Sequence, residues 1–239
     1  MPMGLESAVD LDRYPLDRRD PAVLKTLMAQ WRAEFESTGT VLLRDFLKRG
    51  AIIEIAEMVV ESDDSVADST VSVTTLTYDR IPESSPLKLL YRWEPLLDFV
   101  SGVVGEHAYR SADDRAAVTV HGHEPADENW HFDAADYTLT LHVLAPEYGG
   151  MFEYVPLPWA TGESFPAQLI AGPRRHSVRV LPTLPGALML HAGRLSVHRV
   201  TPSRGPVPRV SATMDFHSRP GRTLGEEARR RRFGAEGRP

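Results

Sequence analysis

The 239 residues are 42% hydrophobic and 25% charged, the ordinary balance of a globular protein large enough to bury a substantial core. The formal charge of −6 leaves no basic footprint for nucleic acid, and there is no run of about 18 apolar residues to span a membrane. With no cysteine, disulfides, thiolate zinc sites, iron–sulfur clusters and cysteine nucleophiles are excluded, so any metal must be held by imidazole and carboxylate. The opening Met1-Pro2-Met3-Gly4-Leu5-Glu6 lacks the basic-then-apolar layout of a secretion signal, and a cytoplasmic location is expected.

The first half reads as helices. Asp20-Pro21 opens one, with Pro21 in its first turn and Val23, Leu24, Leu27, Trp31 and Phe35 at helical spacing. Gly39 ends it, and Thr40 to Leu43 reads as a short strand. Ile52, Ile53, Ile55, Ala56, Val59 and Val60 predict a second helix, and Leu97 to Val104 a third, closed by Gly105. Residues 62–84 are acidic, rich in Ser and Thr and without period, so a loop or lid is expected there.

The second half alternates short apolar stretches with Gly and Pro, at 116–120, 137–144, 151–155, 177–181, 187–191, 196–200 and 207–216. Tyr137 to Leu144 alternates strictly, the pattern of a half-buried strand. Short strands separated by turns predict an antiparallel sandwich or barrel. Glu226 to Arg232 predicts a short charged helix whose Arg229–Arg232 run reads as a solvated face. The expected organisation is one domain over 1–239: a mostly helical flank at 1–105, a β core at 106–220 and a basic tail at 221–239.

Trp130-His131-Phe132-Asp133 is the first segment with chemistry in it. Residues i and i+2 of an extended chain point to one side, so His131 and Asp133 can grip one ion. A lone His-x-Asp is a weak signal and needs a second imidazole. His198, in Ser196 to Pro202, is the best candidate. Two imidazoles and one carboxylate take one face of an octahedron and leave three positions on iron(II), enough for a bidentate 2-oxo acid and dioxygen. Arg209 follows His198 with ten residues between them, on a strand running to Phe216. Alone it reads as a surface ion pair; one strand beyond a metal ligand, its fork can hold the far carboxylate of 2-oxoglutarate. Ser211, Thr213 and Asp215 share its face, Ser211 beside the cosubstrate and Thr213 and Asp215 toward a substrate.

His121 and His123 share one side of a strand that precedes the metal motif and are candidate substrate residues. Glu128 and Asp136 bracket that motif and are candidates to hold a cationic amine, with a solvated loop as the equal alternative. His191 is set aside as the distal ligand, because Pro202 stands where an arginine would have to follow. Phe132, between two ligands, is expected to face away from the metal.

His131-Phe132-Asp133, Gly149 to Pro156, Gly186-Ala187-Leu188, Gly193-Arg194, His198 to Pro202 and Arg209 together resemble the iron(II)/2-oxoglutarate-dependent oxygenase superfamily. Within it, the chain is most similar to the bacterial group containing the free-amino-acid radical halogenases and their hydroxylase relatives. The resemblance covers roughly 116–220. It implies a mainly β chain with N-terminal helices around a double-stranded β-helix (jelly-roll) core. It also implies Fe(II) and 2-oxoglutarate with O2, and a small-molecule substrate, an amino acid or a derivative. Halogenases of this group lack the carboxylate ligand and keep a small residue there, leaving a position for chloride. Asp133 departs from them, so the resemblance implies hydroxylation, with decarboxylation of 2-oxoglutarate to succinate.

Two other readings stand beside this one. A non-oxidative metal-binding jelly roll would have no need of Arg209 at that spacing. An oxygenase acting on a carrier- or protein-bound substrate could dock an acidic carrier through the Arg229–Arg232 run. A Gly-x-Ser-x-Gly elbow and a phosphate-binding loop are both absent, and nothing in the chain argues against a homo-oligomer.

Overall fold

A computed structural model describes residues 4–61, 74–122, 129–156 and 178–233. In chain order the elements are α1 (Leu5–Ala8), α2 (Pro21–Thr38), β1 (Thr40–Leu43), α3 (Arg49–Glu61), β2 (Thr74–Thr77), α4 (Pro86–Arg92), α5 (Glu94–Val104), β3 (Tyr109–Arg110) and β4 (Val118–Gly122). They continue with β5 (Tyr137–Leu144), β6 (Phe152–Tyr154), β7 (Arg179–Leu181), β8 (Leu188–His191), β9 (His198–Val200), β10 (Val210–His217) and α6 (Glu226–Phe233). No helix among the described residues is long and apolar enough to cross a membrane.

The helices form where the sequence supplies their ends. The Asp20 carboxylate accepts the Val23 N–H at 3.0 Å, Pro21 occupies the first turn, and Gly39 closes α2 at φ +76°. The third expected helix begins earlier than its apolar run, because Trp93-Glu94-Pro95 supplies a start for α5.

Seven strands make the main antiparallel sheet, in the order β1-β8-β5-β10-β4-β2, with β3 also on β10; β7-β6-β9 make a second sheet. One face of the main sheet is apolar. Leu139 and Leu141 of β5, Leu188 and Leu190 of β8, and Ala212, Met214 and Phe216 of β10 pack against Trp31, Phe35, Ile55 and Phe99 of the helices. The alternate residues face inward. Toward the second sheet, Met189 and Leu42 meet Phe152, Tyr154 and Val200 in a smaller apolar cluster. This is the mainly β, jelly-roll arrangement with N-terminal helices.

β1, read in the sequence as a short strand, is an edge strand of the main sheet, where Val41 and Leu43 join its apolar face. Two expectations change. Of the expected loop 62–84, Thr74–Thr77 is edge strand β2, and 62–73 lie outside the described residues. β5 is not half-buried: on the face where solvent was expected, Thr138 and Thr140 line a cavity and His142 is buried.

Candidate metal centre

His131 and His198 are joined by a pair of backbone hydrogen bonds, His131 N–H to His198 O at 2.9 Å and His198 N–H to His131 O at 3.0 Å. Directly opposed residues of an antiparallel pair project to the same side, which brings the imidazoles to 4.3 Å between ring centroids. Asp133, two residues on, is held by its own N–H to the Gly193 carbonyl at 2.9 Å. Candidate ligand atoms of His131, Asp133 and His198 lie within 4.8 Å of one another.

The backbone also fixes which nitrogen faces the cluster. His131 Nδ1 lies 2.8 Å from the Asn129 carbonyl and His198 Nδ1 2.8 Å from the Ser196 carbonyl. A carbonyl only accepts, so both Nδ1 atoms carry the proton and Nε2 is the nitrogen that each ring turns toward the cluster as a potential ligand. Asp133 Oδ1 faces them, 3.8 Å from His131 Nε2 and 3.5 Å from His198 Nε2. Burial alone would raise the Asp133 pKa. The neighbouring histidines, His198 foremost and then His191 and His131, outweigh it and hold the carboxyl well below its usual range. Two neutral nitrogens and one carboxylate suit a divalent transition metal.

The cluster opens into a cavity of about 720 Å³. Its floor is the inward face of the main sheet: Thr138 and Thr140 from β5, Arg209 at the start of β10, then Ser211, Thr213 and Asp215 along it. Arg209 and His142 are both buried. Burial, and after it the Arg209 charge, push His142 down to about 3, so its imidazole is neutral. Gly150, at φ +64°, passes close to Arg209; a Cβ there would lie 3.5 Å from the Arg209 Cδ and 2.6 Å from the Pro146 ring. His121 lines the same cavity, opposite Ser211 in register.

Other expected residues stand elsewhere. The Asp136 carboxylate is turned away from the cavity, accepting the Ser218 N–H and hydroxyl at 2.9 Å each, with Arg194 at 3.5 Å. It braces the end of β10 and is not among the residues that line the cavity. His123 and Glu128 lie outside the described residues. Phe132, expected to face away, still forms part of the cavity wall.

Two side chains beside the cluster were not singled out in the sequence. His191 is in the cavity wall, with Nε2 3.6 Å from Asp133 Oδ2, although its spacing excluded it as the distal ligand. Thr138 donates its hydroxyl to the same oxygen at 2.6 Å. Its signal was available: Thr138, Thr140 and His142 alternate with apolar residues and include no Lys or Glu, unlike a solvent-facing strand. In the C-terminal segment, Leu224 and Ala228 close one side of the cavity. Arg229 there bonds the buried Asp113 at 2.7 Å, so α6 is docked and not simply a solvated face.

Similar folds occur among solved structures. The α-ketoglutarate-dependent epimerase SnoN from nogalamycin biosynthesis matches at TM-score 0.60 and 14% identity, over 81% of this chain and 84% of that one. A 2OG-Fe(II) oxygenase family protein from Burkholderia pseudomallei matches at 0.58 and 16%, over 82% and 92%. HygX from Streptomyces hygroscopicus, solved with nickel and 2-oxoglutarate bound, matches at 0.58 and 13%, over 82% and 87%. The fold is therefore that of the iron(II)/2-oxoglutarate oxygenases. No curated protein matches in sequence. The family model Halogenase D matches residues 23–227, and the chain belongs to that family.

Proposed function

We propose that the protein is an iron(II)/2-oxoglutarate-dependent dioxygenase of the cytoplasm that hydroxylates a small amine-bearing molecule, an amino acid or a derivative. The observation that carries this reading is that the His131, Asp133 and His198 cluster and the Arg209–Ser211 pair line one cavity. Bound iron(II) would supply the oxidative chemistry, in which O2 is consumed and 2-oxoglutarate is decarboxylated to succinate. The chain's residues bind and orient. His131 and His198 hold the metal through Nε2, and Asp133 holds it through its carboxylate. Arg209 pairs as a fork with the far carboxylate of 2-oxoglutarate, and the Ser211 hydroxyl donates beside it. Thr213, His121 and the buried Asp215 are left for the substrate. An ammonium group entering an enclosed cavity needs a carboxylate to offset its lost hydration, which Asp215 can give.

Halogenation is the second reading, favoured by the family's own description. Against it stands the Asp133 carboxylate beside both imidazoles, in the place a halide would need. The test is aerobic incubation with iron(II), 2-oxoglutarate, chloride and a panel of amino acids, following succinate and product mass. Succinate release above the His198→Ala level, with a product heavier by one oxygen, is expected for at least one substrate. A chlorinated product would replace this reading with the second. Succinate that never exceeds the His198→Ala level with any free amino acid contradicts the free-substrate reading.

A further inference from the structure

The two oxygens of Asp133 have different surroundings. Oδ1 faces the imidazoles of His131 and His198. Oδ2 points the other way, accepts the Thr138 hydroxyl at 2.6 Å and lies 3.6 Å from His191 Nε2. Thr138 and His191 are directly opposed in register on β5 and β8, so their side chains rise from one point of the sheet toward the same oxygen. The 3.6 Å separation exceeds a direct hydrogen bond. Yet His191 is 2% exposed, and neither ring nitrogen has a hydrogen-bond partner among the described residues. Its ring is wedged edge-on between His198, at 4.2 Å and 87°, and Phe152, at 5.0 Å and 71°. A buried imidazole so confined has the Asp133 carboxylate as the acceptor beside it, and a shift of about half an ångström brings it into range. Gly193 closes another side. A Cβ there would fall 2.5 Å from Oδ2 and 2.6 Å from the Asp133 Cβ, so the carboxylate has no space to swing that way.

We propose that Thr138 and His191 are positioning residues: this cross-strand pair holds the outer oxygen of Asp133, so that Oδ1 alone is presented to the metal. The inference rests on the oxygenase reading for its purpose. A freely turning carboxylate can chelate through both oxygens and so take a fourth coordination position. Two imidazoles and one oxygen leave three, the number a bidentate 2-oxo acid and dioxygen require. Thr138 and His191 would thus keep the site open without touching the metal.

Cobalt(II) titration of the apoprotein, followed by its d–d absorption and with no 2-oxoglutarate present, tests this directly. The chains compared are the wild type, Thr138→Val, Thr138→Ser and His191→Phe, each checked for wild-type circular dichroism. Thr138→Val keeps the shape of the side chain, and His191→Phe keeps a ring between His198 and Phe152. Both are expected to bind cobalt roughly tenfold more weakly or worse, the usual effect of removing a hydrogen bond to a metal ligand, while Thr138→Ser stays within about twofold of wild type. Wild-type affinity in both Thr138→Val and His191→Phe overturns the inference, as does Thr138→Ser binding as weakly as Thr138→Val. Because the titration contains no cosubstrate, failure of the oxygenase reading leaves its result standing. An active oxygenase whose metal affinity ignores both substitutions sinks this inference alone. A wild-type chain that binds no cobalt sinks both.

Discussion

On the helix-facing side of β5 and β10, Leu139, Leu141, Ala212, Met214 and Phe216 are at most 1% exposed. On the other side, Thr138, Thr140, His142, Arg209, Ser211 and Asp215 are nearly as enclosed, at no more than 7%. Burial therefore does not distinguish the two faces; what is buried does. Apolar area removed from water stabilises the fold at about 25 cal/mol per Å², whereas a buried hydroxyl, imidazole or guanidinium costs free energy unless something pairs with it. The first face holds the sheet against its helices. The second lines a cavity with polar groups, and the strand's period of two separates the two faces residue by residue.

Substitutions on the two faces should then fail differently. Leu141→Ala is expected to cost about 3 kcal/mol of unfolding free energy by cavity formation while leaving metal affinity at the wild-type value. A chemical-denaturation curve and a cobalt titration check the pair, and a metal defect without a stability loss would break the division. Arg209→Ala should instead weaken 2-oxoglutarate binding by about 2 kcal/mol, roughly thirtyfold, with iron affinity unchanged. Unchanged cosubstrate affinity, measured calorimetrically without oxygen, would remove Arg209 from the pocket.

His142 gives a subtler contrast. Its pKa is pushed from 6.5 to about 3, by burial and then by Arg209. Between those values the unfolded chain takes up a proton that the folded chain refuses, so stability is highest above the unfolded value and declines as pH falls from 6.5 toward 3. Melting curves across that window should be flatter in His142→Asn. An equally steep slope would mean that the imidazole gains its proton while folded. Thr140→Val is the smallest change expected, within about 1 kcal/mol of wild-type stability, since a hydroxyl is exchanged for a methyl of similar size. A loss as large as that of Leu141→Ala would mean that the polar face, too, carries the core.

The features legible in the sequence were those written in local periodicity. Asp20, Pro21 and Gly39 marked both ends of α2, and strict alternation marked β5 residue for residue. Spacing made His131 and Asp133 candidates, because i and i+2 on a strand share a side, and the interval from His198 to Arg209 made candidates of those two. His191 was not legible. Its place beside Asp133 follows from the pairing of β8 with β5, a register that no local pattern records. Asp136 shows the converse: proximity in sequence to the metal motif made it a candidate, and the turn after Asp133 carries its carboxylate to Ser218, a partner that no local pattern names. The contribution of α6 was hidden too, since nothing near Arg229 indicates Asp113, its buried partner far back in the chain.

Anaerobic addition of iron(II) and then 2-oxoglutarate to the apoprotein, followed by visible absorption, tests the central claim most directly. A weak metal-to-ligand charge-transfer band is expected that needs both additions and is absent from the His131→Ala and His198→Ala proteins. Tight iron binding with no band on adding 2-oxoglutarate would contradict the claim, and leave a metal-binding jelly roll without a cosubstrate.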